Sequence, residues 1–514
     1  MFYSVLFPTE ESYLLPRRTE APESFRDLNI GKILKPVLQK NPELQLEEFF
    51  YTPLNDPAVI SYRQEIMKEL AEPGTRAAIE GLVGQITFMR MFMDGLRMRL
   101  ASDGKTSGKY LEMGRLLENS GIFTAVVTGL ANNLRNLTPR SEGLIKLSAY
   151  VTEYCSSDRF RSMQDWARRL RSSFDELRYC LFIKDNLIRV MPYEGQENYA
   201  DRIGELFDRF RQGDVLDYRR KQDEKPVSEI LENKILEMLA HYYPEPFKDL
   251  TAYCQEFINF DDDTLMRFAR EIQFYFNWLD FIEPLRQAGL PFCYPVIHEK
   301  LDELKALDCF DLALAMDKPE KIVTNSFTLT APEQIFIVSG PNQGGKTTFA
   351  RSFGQVHFLS ALGLSVPGRE ADIFLCDQVL THFEREEDLA NLSGKLQDDL
   401  LRLHSLLEAA TKRSVVIINE IFASTTLKDA LQLGGHMLDA LTALGSPCMV
   451  VTFLEELANY GPQTVSMVTT VTDDAKHRRT FRILRKAPDG QAYALQIAAQ
   501  HGLTFEQLDR RLKA

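Results

Sequence analysis

"FIVSGPNQGGKTTFA" (residues 336–350) decides how the rest of the chain is read. An apolar run ends at a glycine, and Gly340, Gly345, Lys346 and Thr347 then fall in the spacing G-x-x-x-x-G-K-[ST] of a phosphate-binding loop. Backbone N–H groups of such a turn surround the phosphates, and the helix that follows directs its positive end at them. The lysine bridges β- and γ-phosphates and the threonine hydroxyl serves Mg²⁺. A glycine-rich turn that binds nothing has the same composition; placement between a buried strand and a helix favours the phosphate loop.

Around the loop the pattern alternates. "QIFIVSG" (334–340), "SVVIINE" (414–420) and "PCMVVT" (447–452) are continuous apolar runs, as expected of strands covered on both faces of a parallel sheet. Helical periodicity at 346–363, 395–411 and 428–444 separates them, which predicts an α/β domain with crossover connections. Ligands of such sheets bind beyond the carboxyl ends of the strands. The second run delivers Asn419 and Glu420 there, where a nucleotide hydrolase carries a metal-holding residue and a carboxylate that orients water.

Residues 58–290 have a different grammar, with apolar positions three and four apart over long stretches. The stretches 77–100, 159–180 and 262–289 are expected helices, the last ending at Gly289, and "CLFIKDNLIRVMP" (180–192) reads as a small inserted hairpin. Arg159, Arg161, Arg168, Arg169 and Arg171 make the second helix the most basic one; this is either a solvated face or a phosphate-contacting surface. A boundary is expected between 290 and 320.

Bulk composition excludes several classes. Hydrophobic content of 44% and charged content of 26% are those of a folded, water-soluble chain. No leader and no membrane-length apolar run is visible, so a cytoplasmic protein with no membrane partner is expected. The seven cysteines are scattered without a C-x-x-C pair, which argues against a disulfide framework or a zinc site. A formal charge of -13 lowers the expectation of a polyanion-binding surface without closing it, because local basic clusters can act inside an acidic protein.

Taken together, "GPNQGGKTT" (340–348), "GLSVPGREADIFLCDQVLTHFEREEDLANLSGKLQDDL" (363–400), "NEIFASTTLKDA" (419–430) and the ending at 479–508 resemble the ATPase domain of the MutS DNA mismatch-repair family. "PLNDPAVISYRQEIMKEL" (53–70) and 270–297 resemble the start and return of that family's helical core. The resemblance implies an α plus α/β fold: a helical core and lever domain (51–310), then a P-loop ATPase and dimerisation domain (311–514) with an ABC-like parallel sheet and helices on both faces. Residues 1–50 are expected to form an N-terminal segment without an assigned role, and a MutS-like protein lacking the family's mismatch-reading domain with its Phe-x-Glu wedge is expected, since little sequence precedes residue 50.

The resemblance also implies a site. ATP would be held by Gly340, Pro341, Asn342, Gln343, Gly344, Gly345, Lys346, Thr347 and Thr348, with Asn325 beside the base. Ser393 and Gly394 would reach the γ-phosphate of the other subunit, and Thr347, Asn419 and Glu420 would serve Mg²⁺. Glu420 and Lys346 would be catalytic. Ser424, Thr425 and Thr426 would lie at the dimer seam or act as ordinary helix caps.

This sequence departs from the family where Asn419 replaces aspartate, Phe453 replaces a histidine, and Phe422 and Ala423 replace glycine and arginine. Slow hydrolysis is therefore expected. The function implied is a homodimeric ATPase that clamps DNA, favoured over RNA, by way of Arg159, Arg168, Arg169 and the cluster Arg219, Arg220 and Lys221. The alternative is a nucleotide-gated factor that engages a protein or a ribosomal RNA with little turnover. A small-molecule kinase would leave the helical half unexplained.

Overall fold

The structure is a computed structural model that describes residues 2–101, 108–184, 187–197, 229–384, 395–422, 424–471, 479–488, 503–505, 508–509 and 511. Asp185, Asn186, Arg219, Arg220, Lys221, Ser393, Gly394 and Ala423 lie outside the described residues.

The chain folds as two compact units, which divide it elsewhere than at residues 50 and 310. The first comprises residues 1–71, 141–143 and 270–514, and the second comprises 72–140 and 144–269. Hydrogen bonding explains why the N-terminal segment joins the first unit. Arg351 Nε donates to the carbonyl of Asp27 (2.9 Å), Gln355 Nε2 to that of Leu28 (2.9 Å), and Thr381 Oγ1 to Asp27 Oδ2 (2.7 Å). A Cβ on Gly354 would lie 2.7 Å from both Ile417 Cδ1 and Leu28 Cδ2, so the backbone of the helix after the loop fits closely between sheet and segment.

In the first unit, a six-stranded sheet among the described residues runs Gln378–Phe383, Ser414–Asn419, Cys448–Val451, Ile335–Ser339, Thr464–Val471 and Arg479–Arg485. The first five are parallel and the last is antiparallel. Alternation sorts the central strands between two layers. Ile335, Ile337, Val416 and Ile418 share a core with Leu403 and Leu406 of helix Lys395–Ala409 and with Met437, Leu438 and Leu441 of helix Leu427–Leu444. Phe336, on the other face, packs edge-on against Phe353 of helix Lys346–Ala361, with ring centroids 5.9 Å apart. The expected strands and helices of this domain therefore form, with helices on both faces. A smaller sheet joins Val296–His298, Glu370–Phe374, Glu303–Cys309 and Asn325–Thr330.

In the second unit, helices Pro73–Ala101 and Lys109–Leu137 pair lengthwise, and Asp158–Asp175, Glu229–Tyr242 and Pro244–Phe257 pack against the latter. Its core is aromatic: Phe123, Tyr253, Phe257 and Phe260 are fully buried. The basic helix is shorter than the expected 159–180. Ser157 caps its start by accepting from Phe160 N, and the last turn closes with Glu176 N donating to Ser172 O at 3.1 Å. The aromatic and β-branched run from Tyr179 then takes up strand pairing, Tyr179–Lys184 against Leu187–Pro192, which forms the expected hairpin. Helix Asp263–Gln287 ends as the sequence suggests. Gly289 has φ +88, its N–H donates to Arg286 O, and Leu290 N donates to Leu285 O.

Candidate functional site

The strand Ile335–Ser339 is buried along its whole length and ends in Gly340, whose φ of +112 only glycine adopts freely. Space makes the same demand, because a Cβ on Gly340 would stand 2.3 Å from Thr469 Oγ1. Gln343 (φ +59) and Gly345 (φ +94) continue the tight turn into helix Lys346–Ala361. The residues from Gly340 to Thr348 thus form one continuous loop and helix start beyond the carboxyl ends of the parallel strands.

Lys346 is 4% exposed, and its Nζ donates to the carbonyls of Gly340 (3.0 Å) and Pro341 (3.4 Å) and to Asn342 Oδ1 (3.3 Å). Glu420 Oε1 lies 3.9 Å away. Burial lowers the pKa of the ammonium, Glu420 acts in the opposite sense, and Arg479 adds to the lowering. Thr347 Oγ1 donates to Asn419 Oδ1 at 3.2 Å, so the loop and the adjoining strand end are joined. Glu420 follows with φ +57, its N–H bonded to Val451 O at 2.9 Å. Lys346, Thr347 and Glu420 line one cavity of about 430 Å³, together with Gln343, Asn325 and Phe481.

Asn325 lies in that cavity wall, yet its amide is engaged by backbone. Nδ2 donates to Phe481 O (3.1 Å) and Oδ1 accepts from Ile483 N (2.7 Å), which ties the small sheet to the antiparallel edge strand. Two neighbours had no sequence signal. Arg479 Nη1 donates to Gln343 Oε1 at 2.6 Å, and Phe481, 48% exposed with φ +58, stands against Gly345. Both arrive on a strand more than a hundred residues after the loop, and no local spacing marks them.

Thr426 is the N-cap of helix Leu427–Leu444, accepting from Asp429 N at 3.2 Å; Ser424 is exposed and Thr425 half-buried. Phe422 is buried in the core with φ +63, a conformation a glycine would hold without steric cost. Phe453 is half exposed just past strand Cys448–Val451.

On the basic helix of the second unit, Arg159 Nη2 donates to Asn259 O (2.7 Å), Arg168 pairs with Asp165 (3.1 Å), and Arg171 donates to Glu118 O (3.3 Å). Arg161 and Arg169 are exposed.

Residues 336–510 match the family model for MutS domain V. The DNA mismatch repair protein MutS of Chlorobaculum tepidum aligns with 96% of this chain at 22% identity. Over these stretches the chain is similar to proteins of the MutS family. The Endonuclease MutS2 of Thermus thermophilus is 32% identical over 190 residues, 37% of this chain, and that of Levilactobacillus brevis is 28% identical over 189 residues, 36% of this chain. These alignments cover 59% of the MutS relative and 25% and 24% of the two MutS2 relatives. No helix among the described residues is long and apolar enough to cross a membrane.

Proposed function

We propose that the chain binds MgATP at residues 340–348, hydrolyses it slowly, and works as a homodimer whose nucleotide state makes the helical unit clamp branched or flexible DNA. The observation that carries this reading is the convergence of Lys346 and Thr347 from a loop and Glu420 from the adjoining strand end at one cavity, with Asn419 held by Thr347 beside it.

The residues fit the groups they would hold. The left-handed glycines let backbone approach an oligophosphate, and the Lys346 ammonium, now shared among weak neutral acceptors, can transfer to phosphate oxygens. Thr347 Oγ1 and Asn419 Oδ1 are the hard oxygen donors that suit a small divalent cation. Bound Mg²⁺ would supply charge neutralisation across the β- and γ-phosphate oxygens. Glu420 would orient the attacking water and accept its proton, while Lys346 stabilises negative charge developing on the phosphoryl oxygens.

Asn419 contributes an oxygen but no charge. Asn419→Asp is therefore expected to tighten Mg²⁺ in the presence of ATP by about tenfold, the gain of one charge-assisted contact. Titrating Mg²⁺ into the ATPase assay measures this, and an unchanged half-saturation point would remove Asn419 from the metal site.

Dimerisation follows from the family resemblance, in which Ser393 and Gly394 reach the partner's nucleotide. ATP would then favour the closed pair by binding it better than the open one, and hydrolysis would end that preference. For DNA, Arg161 and Arg169 are the exposed cations of the basic helix whose side chains make no hydrogen bond or ion pair among the described residues. Binding to duplex, branched DNA and structured RNA at 50 and 200 mM salt is the test. DNA affinity should fall at least tenfold between the two if only two or three phosphates are contacted. Absent or salt-insensitive DNA binding would discard the nucleic-acid part of this function.

A second reading, a nucleotide-gated protein-interaction factor with little turnover, draws on Asn419 and on Phe453, which cannot donate a hydrogen bond. Structured RNA bound in preference to DNA would favour the ribosome-associated form of that reading.

A further inference from the structure

The N-terminal segment and the helix Pro57–Leu70 enclose a second cavity of about 450 Å³, which shares no residue with the cavity at the phosphate loop. Arg17 and Arg63 line it, with Phe7, Phe49, Leu54 and Val59 among the apolar walls. Arg63 is a buried cation with no direct ion pair, the Glu271 charge acting on it without a salt bridge. It is 1% exposed, its Nε donates to Leu6 O at 3.1 Å and its Nη1 to Leu362 O at 3.0 Å. Among the described residues it forms no ion pair, and its Nη2 has no acceptor.

Arg17 repeats the deficit. Its Nη1 pairs with Glu48 at 3.1 Å and its Nη2 donates to Tyr13 O, but its Nε is buried with no acceptor. Both guanidinium groups lie on the ring of Phe7, at 4.7 and 4.9 Å from its centroid. Nearby carboxylates are already engaged: Glu48 also pairs with Arg270 at 2.8 Å, and Glu271 accepts from Ser4 Oγ and Val5 N. Glu11 and Asp56 also line the cavity, and Asp56 caps its helix through Ala58 N.

A guanidinium kept from water without a directly bonded anion is costly, and burial pushes Arg63 down to about 10 although the Glu271 charge acts in the opposite sense. An anion entering the cavity would offset that cost and fill both vacant N–H positions. The volume is that of small-molecule sites, and apolar walls with a few fixed polar groups are their usual lining.

We propose that this cavity binds a small organic carboxylate, with the anionic group on Arg63 Nη2 and Arg17 Nε and the apolar body against Phe7, Leu54 and Val59. The planar guanidinium fork matches a carboxylate, and the aromatic wall favours a flat or branched apolar body.

Isothermal titration of the full chain with sodium benzoate, and with benzyl alcohol as its neutral counterpart, tests the site. Benzoate should saturate at one per chain, with benzyl alcohol at least tenfold weaker. Arg17→Gln should weaken benzoate at least tenfold. Leu15→Glu changes a 61% exposed residue of the cavity lining and so leaves the fold intact; it should weaken benzoate at least threefold by repulsion. If Arg17→Gln does not fold, Leu15→Glu decides. No saturable heat with benzoate, equal binding of the alcohol, or a smaller loss in Leu15→Glu would each overturn the proposal.

Discussion

Glu420→Gln should lower steady-state ATP turnover by about 100-fold or more while MgATP affinity stays within about threefold. The substitution keeps the side chain's size and an oxygen acceptor, and removes only the charge and basicity a proton acceptor needs. Glu420 is placed by backbone that the substitution leaves alone: its N–H is held by Val451 O, and its positive φ sets the direction of the turn. Because Lys346 is 3.9 Å away and already held by two carbonyls, losing the Glu420 charge should leave the ammonium in place. A coupled-enzyme assay with a parallel fluorescent-nucleotide titration separates the two quantities. A variant that turns over as fast as the parent would end the assignment of Glu420 as the water-orienting base.

Lys346→Met should have the opposite signature, with nucleotide affinity falling by about 100-fold or more. The methionine fills much of the same buried volume but offers no N–H donor, so the carbonyls of Gly340 and Pro341 and the Oδ1 of Asn342 all lose a partner. A triphosphate would then meet a loop without its cation. Stability should change far less than affinity, since burial already depresses the proton affinity of this ammonium and its removal ends that cost. Thermal melts of the variant without nucleotide, set beside the titration, check both halves. Unimpaired binding would mean that the loop does not hold the phosphates.

The glycine-rich loop and its sheet are legible in the sequence because their signals are local. Ile335–Ser339 and Ser414–Asn419 are covered by helices on both faces, so every position is apolar or small and the run stands out without periodicity. Gly340 is required twice over, by its φ and by Thr469, which is why a glycine marks the turn in the sequence.

What stayed hidden depends on contacts between distant segments. The N-terminal segment joins the first unit through Asp27, Leu28 and the helix after the loop, more than three hundred residues apart, and no pattern within residues 1–50 announces this. Arg479 and Phe481 reach the site only because an antiparallel strand is added at the sheet edge. Phe422 is instructive in another way: resemblance marked it as a lost glycine, and the positive φ shows what the glycine would have provided. The basic helix illustrates a third limit, since the sequence counts arginines but not their partners, and Arg159, Arg168 and Arg171 prove to be engaged within their own unit.

The most direct test of the account is sedimentation velocity of Glu420→Gln with and without saturating MgATP. A shift to the mass of two chains is expected when ATP is added, reversed when nucleotide is removed and absent in Lys346→Met. A chain that binds MgATP and yet sediments as a monomer at every nucleotide and protein concentration would contradict it.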